Sequence, residues 1–308
     1  MSGLLNLRFV IVAGKGGVGK TTVSAALALA AARRGKRVLI AMCNAKERVS
    51  DLLEVAPIGQ HNQQILPGID AVNMNPQVAL EEYGMMVLRV RALYRAIFEN
   101  RLVAAFLRGT PGIEAWSMLG KAQFHAREKL ADGRPRYDMV ILDAPATGHG
   151  LEMLRVPRVL MEVAPPGLLR REAERAWALF SDPARSGVLL VTLPEDMPVN
   201  ETAELHGALT QELGLPVAGV VVNSVLPALF SGEEAGWIRR AAAESQPSDL
   251  VHSLLVAGRR RVSRQESQAE CIERLGELLP LSQIVFPAMM VSELKRSELT
   301  QLAGAFES

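Results

Sequence analysis

Two lysines and a threonine set among glycines are the residues of this chain best suited to chemistry. Gly14-Lys-Gly-Gly-Val-Gly-Lys20-Thr21 fits the pattern G-x-x-x-x-G-K-[ST]. Gly14, Gly16, Gly17 and Gly19, with Val18 between them, let backbone amides face a phosphate chain without obstruction. Lys20 brings positive charge to β- and γ-phosphates. The Thr21 hydroxyl completes a Mg²⁺ shell, and Thr22 continues into a helix whose N-terminal end favours an anion. A second group fits the same chemistry. Tyr137-Asp-Met-Val-Ile-Leu-Asp143 is an apolar run ending in a carboxylate, which can reach a metal-bound water beside the phosphates.

Such groups need a scaffold that brings distant segments together. Arg8 to Ala13 is an apolar run ahead of the glycines and reads as a buried strand. Thr21 to Arg34 is alanine-rich and ends at Gly35, which predicts a helix. Arg37 to Met42, Met139 to Leu142, Val188 to Thr192, Val217 to Val222 and Gln283 to Phe286 repeat the strand pattern. Continuous apolar strands separated by helices predict a mostly parallel, helix-covered sheet of about seven or eight strands.

Composition bounds the rest. The chain has 308 residues, 49% of them apolar, and a formal charge of +1. That excludes a mostly disordered chain and one that coats nucleic acid by bulk charge. Two cysteines, Cys43 and Cys271, exclude a disulfide framework and a four-cysteine zinc site. The first residues do not read as a signal peptide, and no apolar run is long enough to span a bilayer, so a cytoplasmic protein is expected. One domain over 1–308 is expected, with a helical subdomain inserted at about 76–135. From Met85 to Arg136 it carries ten Lys/Arg against four Asp/Glu. Arg155 to Phe180 reads as a further helical stretch.

Lys15 is surplus to a plain nucleotide loop. Lys-Gly-Gly-Val-Gly-Lys-Thr-Thr resembles the signature-lysine loop of the P-loop NTPase family that contains the ParA and MinD ATPases, nitrogenase iron protein, arsenical-pump ATPase and the tail-anchored-protein targeting ATPase. In that family the first lysine touches nucleotide across a dimer interface, so the resemblance implies ATP and Mg²⁺ as ligands and a face-to-face dimer bridged by Lys15. Ala144-Pro-Ala-Thr-Gly-His-Gly-Leu-Glu-Met-Leu154 resembles the switch segment of the arsenical-pump and targeting branch. There Gly148 would offer its amide near the γ-phosphate, with His149 as a turn residue. Val220-Val-Val-Asn223 resembles the adenine-contacting strand end, and an amide that both donates and accepts suits Asn223 to that role. Phe286-Pro287-Ala resembles the loop that closes over the base.

Three departures qualify the resemblance. Met42-Cys-Asn-Ala-Lys-Glu-Arg-Val-Ser-Asp51 puts Asn44 where the family has the aspartate that orients the attacking water. Asparagine holds a water but takes no proton from it, so slow hydrolysis, or binding without efficient turnover, is expected; Glu47 and Asp51 are near in sequence but out of register. No C-x-x-C is present, so no zinc is expected. The helical subdomain is short; Met85, Met86, Leu88, Val103, Phe106, Leu107, Trp116, Met118 and Leu119 read as core before groove. The resemblance implies an ATPase that couples dimer closure to an unidentified protein client, a membrane-protein segment among the candidates. A weakly active protomer paired with a catalytic paralogue is the first alternative, supported by Asn44. A ParA- or MinD-like positioning ATPase is the second, and no nucleic-acid partner is expected.

Overall fold

The computed structural model describes residues 3–43, 46–88, 112–145, 147–164, 166–248 and 250–307. Its strands are β1 (Phe9–Ala13), β2 (Val38–Cys43), β3 (Gln63–Leu66), β4 (Ile69–Met74), β5 (Met139–Asp143), β6 (Ser186–Thr192), β7 (Val217–Val225) and β8 (Gln283–Pro287). They form one eight-stranded sheet in the order β3-β4-β2-β5-β1-β6-β7-β8. All pairings are parallel except β3 with β4. The protein is an α/β P-loop NTPase fold with β1 central, flanked by β5 and β6.

The central strands are apolar on both sides because both faces are covered. β1, β2, β5 and β6 are buried throughout. Their alternate residues divide between two cores. Val10, Val12, Ile40, Met42 and Ile141 pack with α1 (Lys20–Arg33) and with Leu299 and Leu302 of the C-terminal helix Arg296–Ala303. Phe9, Ile11, Leu39, Val140 and Leu142 pack with Trp116, Leu119, Leu160 and Phe180 on the other side. Alanines dominate the buried face of α1, which lets it lie close to the sheet.

The sequence reading missed β3 and β4. Gln63-Gln64 is polar because β3 is a half-exposed edge, and β4 alternates buried with half-buried residues. Pro67-Gly68 forms the tight turn between them, with Gly68 at φ +78°.

On the second face lie α3 (Pro76–Leu88) and α4 (Ile113–Arg127); α2 (Val49–Leu53) lies near the cleft described below. Tyr83 meets Trp116 edge-on at 5.9 Å, and Gly120 leaves the room that Tyr83 occupies. Trp116, Met118 and Leu119 are buried in the sheet-facing core. Met85, Met86 and Leu88 are half-buried, whereas Val103, Phe106 and Leu107 lie outside the described residues. The helical stretch expected from Arg155 to Phe180 is built of two helices, α5 (Thr147–Val163) and α6 (Leu168–Phe180). The break carries Pro166-Gly167, which cannot continue the helix cheaply. After β6 come α7 (Asp196–Gly207), α8 (Gly232–Glu244) and the long α9 (His252–Leu278). No helix among the described residues is long and apolar enough to cross a membrane.

Candidate functional site

The glycine loop leaves β1 at the C-terminal rim of the sheet, where the neighbours of β1 lie on either side, and runs into α1. It is pressed against two other strand ends. A Cβ on Gly14 would stand 2.3 Å from the Val191 carbonyl oxygen of β6. A Cβ on Gly19 would stand 2.2 Å from Asn223 Nδ2, and Gly19 also holds φ +95° as the residue before the helix. Val18 is buried and anchors the loop from beneath. Gly16 lies in the turn between these fixed points, and Gly17 and Thr22 line the cleft above.

Lys20 folds back over its own loop. Its Nζ donates to the carbonyl oxygens of Lys15 at 2.9 Å and Gly14 at 3.1 Å. Burial pushes its pKa below the ordinary lysine value, and the charge of Asp143 pulls it back up. The next residue, Thr21, donates its hydroxyl to Asp143 Oδ2 at 2.7 Å. Ser24, one turn further along α1, donates to Asp143 Oδ1 at 3.3 Å. Asp143 closes β5 and is 5% exposed. Burial raises its pKa; the Thr21 hydrogen bond, the Lys20 charge and Ser24 oppose that rise.

Lys20, Thr21 and Asp143 face a cleft of about 1090 Å³. Lys46, Arg48 and Lys295 are also on its walls. Hard oxygen donors and a buried carboxylate fit a small divalent cation of the Mg²⁺ type, whose charge would offset the cost of ionising Asp143 in place. Thr21 and Asp143 are the residues that would hold it.

Other expected site residues are more dispersed. Asn223 ends its buried strand run with its amide engaged twice: Nδ2 donates to the Val18 carbonyl at 2.8 Å, and Oδ1 accepts from the Ser224 amide at 2.9 Å. It therefore ties the loop to β7, a role the sequence reading did not foresee. Pro287 is exposed at the end of β8, opposite Val225. Gly148 is exposed in the first turn of α5. Its neighbour His149 lines an adjoining cleft of about 510 Å³ that shares Cys43 and Pro145 with the main one. Asn44 lies outside the described residues. Glu47 is already occupied just ahead of α2, accepting from the Ser50 amide at 2.8 Å and from the Ser50 hydroxyl. Cys43 and Cys271 are both free and buried, one on β2 and one on α9.

Lys15 pairs with Glu201 of α7 at 2.7 Å. Sequence reasoning gave Ser24 and Glu201 no role. Ser24 was reachable, since it stands four positions after Lys20 and so on the same helix face. Glu201 was not, because nothing local links it to a loop 186 positions away.

Comparisons with known proteins place the chain in a family. A family model described as anion-transporting ATPase matches residues 7–165 and 169–244. The loop, Asp143, Glu201 and Asn223 fall inside those stretches. The chain is 29% identical over 263 residues to the protein named ATPase BagA of Mycobacterium tuberculosis, covering 83% of this chain and 76% of that one. It is 27% identical over 264 residues to an arsenical pump-driving ATPase of Escherichia coli, covering 79% of this chain and 44% of that protein. It is 30% identical over 156 residues to ATPase ASNA1 homolog 1 of Paramecium tetraurelia, covering 50% of this chain and 45% of that one.

Proposed function

The chain belongs to the anion-transporting ATPase family, and from that premise we propose that it binds and hydrolyses ATP as a pair of copies closed face to face over nucleotide. The observation that carries this reading is the convergence of Lys20, Thr21 and Asp143 on one cleft beside the glycine loop. The loop amides cradle the phosphates. Lys20 exchanges its two loop carbonyls for phosphate oxygens. Thr21 and Asp143 would hold Mg²⁺, which would supply positive charge against the phosphates. Water attacks the γ-phosphorus, the bond to the β-bridging oxygen breaks, the water's proton passes to the phosphate being formed, and ADP and phosphate leave. Asn44 orients that water without accepting its proton, so turnover is slow. Lys15 reaches the second copy, and Gly148 follows the γ-phosphate at the start of α5. Loss of the γ-phosphate relaxes the closed state and releases a bound protein client, for which a membrane-protein segment is one candidate.

The test is Mg²⁺-dependent ATP turnover by the full chain, wild type against Asn44→Asp, with sedimentation in ATP and in ADP. Slow wild-type turnover, faster turnover in Asn44→Asp and ATP-dependent pairing are expected. Absence of ATP binding would end the reading. Asn44 also supports a second one, in which this chain is the weakly active partner of a catalytic paralogue. Copurification with such a paralogue, together with no pairing of the isolated chain, would favour it.

A further inference from the structure

The Lys15 ammonium is already engaged. Its Nζ lies 2.7 Å from Glu201 Oε1, and the two side chains are 39% and 32% exposed. Glu201 Oε2 is buried and has no hydrogen-bond partner among the described residues. The helix that presents Glu201 is firmly placed. Val199, Thr202 and Leu205 of α7 are buried, and Thr202 donates to the Pro198 carbonyl at 2.7 Å. Arg274 of α9 donates to the Asp196 carbonyl at 3.2 Å and to Asn200 Oδ1 at 3.0 Å. The strand before α7 touches the loop through the Val191 carbonyl. Loop and helix are therefore held in a fixed relation, and Lys15 spans the gap between them.

We propose that Glu201 is a positioning residue for Lys15: it holds the ammonium against the molecule's own flank and surrenders it when a nucleotide-loaded second copy closes. This rests on the face-to-face reading above. A lysine that is to contact phosphate across an interface must first leave its counter-ion. The departure costs the ion pair, which is modest at this exposure. It also leaves a carboxylate with neither oxygen paired and one of them buried, which raises the cost. A triphosphate carries more negative charge than a carboxylate and repays the exchange; an empty site does not. Glu201 thus makes closure depend on nucleotide.

The experiment is sedimentation of the full chain with a non-hydrolysable ATP analogue, as a titration of protein concentration. Wild type, Glu201→Gln, Lys15→Ala and the double variant are compared. Glu201→Gln is expected to pair at about two- to five-fold lower concentration than wild type. That gain should vanish in the Lys15→Ala background, and raising the salt from about 50 to 500 mM should narrow it. Equal or weaker pairing of Glu201→Gln overturns the proposal. So does a gain that persists without Lys15, because Glu201 would then act through packing. Wild type that never pairs with the analogue overturns the face-to-face reading and this proposal with it. Should Glu201→Gln fail to fold, Glu201→Asp serves: its shorter side chain should give a smaller gain of the same sign, and no gain overturns the proposal.

Discussion

The Thr21 hydroxyl and the Asp143 carboxylate meet at 2.7 Å, although 122 positions separate them in the chain. One opens α1, the other closes β5, and only the parallel pairing of β1 with β5 brings them together. Burial raises the Asp143 pKa above its ordinary 3.8. An acid whose pKa is higher in the folded state binds its proton more tightly there. Stability is therefore lost as pH rises from the unfolded value through the raised one, and stays lost at neutral pH. Asp143→Asn should raise the melting temperature of the ligand-free protein at pH 7 by about 1–3 °C. The same change should abolish Mg²⁺-dependent hydrolysis. Calorimetry and a phosphate-release assay on one preparation check both halves.

Lys20 gives the complementary pH dependence. Burial lowers its pKa below 10.5. The charged form thus costs stability, and that cost is relieved as pH rises through the lowered value toward the unfolded one. ATP affinity should fall over the same rise, starting at a lower pH than an exposed lysine would impose. Titration calorimetry between about pH 7 and pH 10 measures it. Lys20→Gln should bind weakly and without that alkaline decline.

Gly19→Ala should be far worse than a loop alanine elsewhere. Its new methyl would meet Asn223 Nδ2 at 2.2 Å, and the backbone would stay in the left-handed region. Gly14→Ala meets the Val191 carbonyl, which is backbone and cannot rotate aside. Both variants should melt several degrees below wild type and lose at least about ten-fold in ATP affinity.

Asn223→Ala removes the 2.8 Å bond to Val18 and the amide expected to meet adenine. ATP affinity should drop about five- to ten-fold, and the preference for ATP over GTP should shrink. Competition binding with both nucleotides separates the two effects. A drop with unchanged preference would make Asn223 a loop tether alone.

Glu172 is a different case, structural and distant from phosphate. It is 2% exposed and takes Arg127, Arg175 at 2.6 Å and the Tyr83 hydroxyl at 3.3 Å. It thereby joins α3, α4 and α6. Glu172→Ala leaves two cations without their shared acid and should cost about 2–3 kcal/mol by denaturant melts. ATP affinity of the folded fraction should stay within about two-fold of wild type.

The phosphate loop and the central strands were legible because their signals are local. A glycine run at fixed spacing and an unbroken apolar strand each speak for themselves. β3 and β4 were not, because an edge strand faces water and carries glutamines where a central one carries valines. The break between α5 and α6 was written as Pro166-Gly167, yet the alanine and leucine on either side masked it. Asn223 was singled out for a base contact, while its bond to Val18 depends on β1, β6 and β7 lying side by side. Contacts of that kind exist only once the sheet is assembled.

The strand direction also sorts the molecule into two ends. Lys20, Thr21, Asp143 and Asn223 sit at the rim where β1, β5 and β7 finish. At the rim where strands begin, Arg37 pairs with Asp138 at 3.1 Å, and Arg8 donates to the Ala126 carbonyl at 3.2 Å. Those contacts tie down strand entrances, at the far end from the cleft. An engineer can treat the two rims as separate design problems: changes at the entrance rim tune durability, and changes at the exit rim rewrite the chemistry.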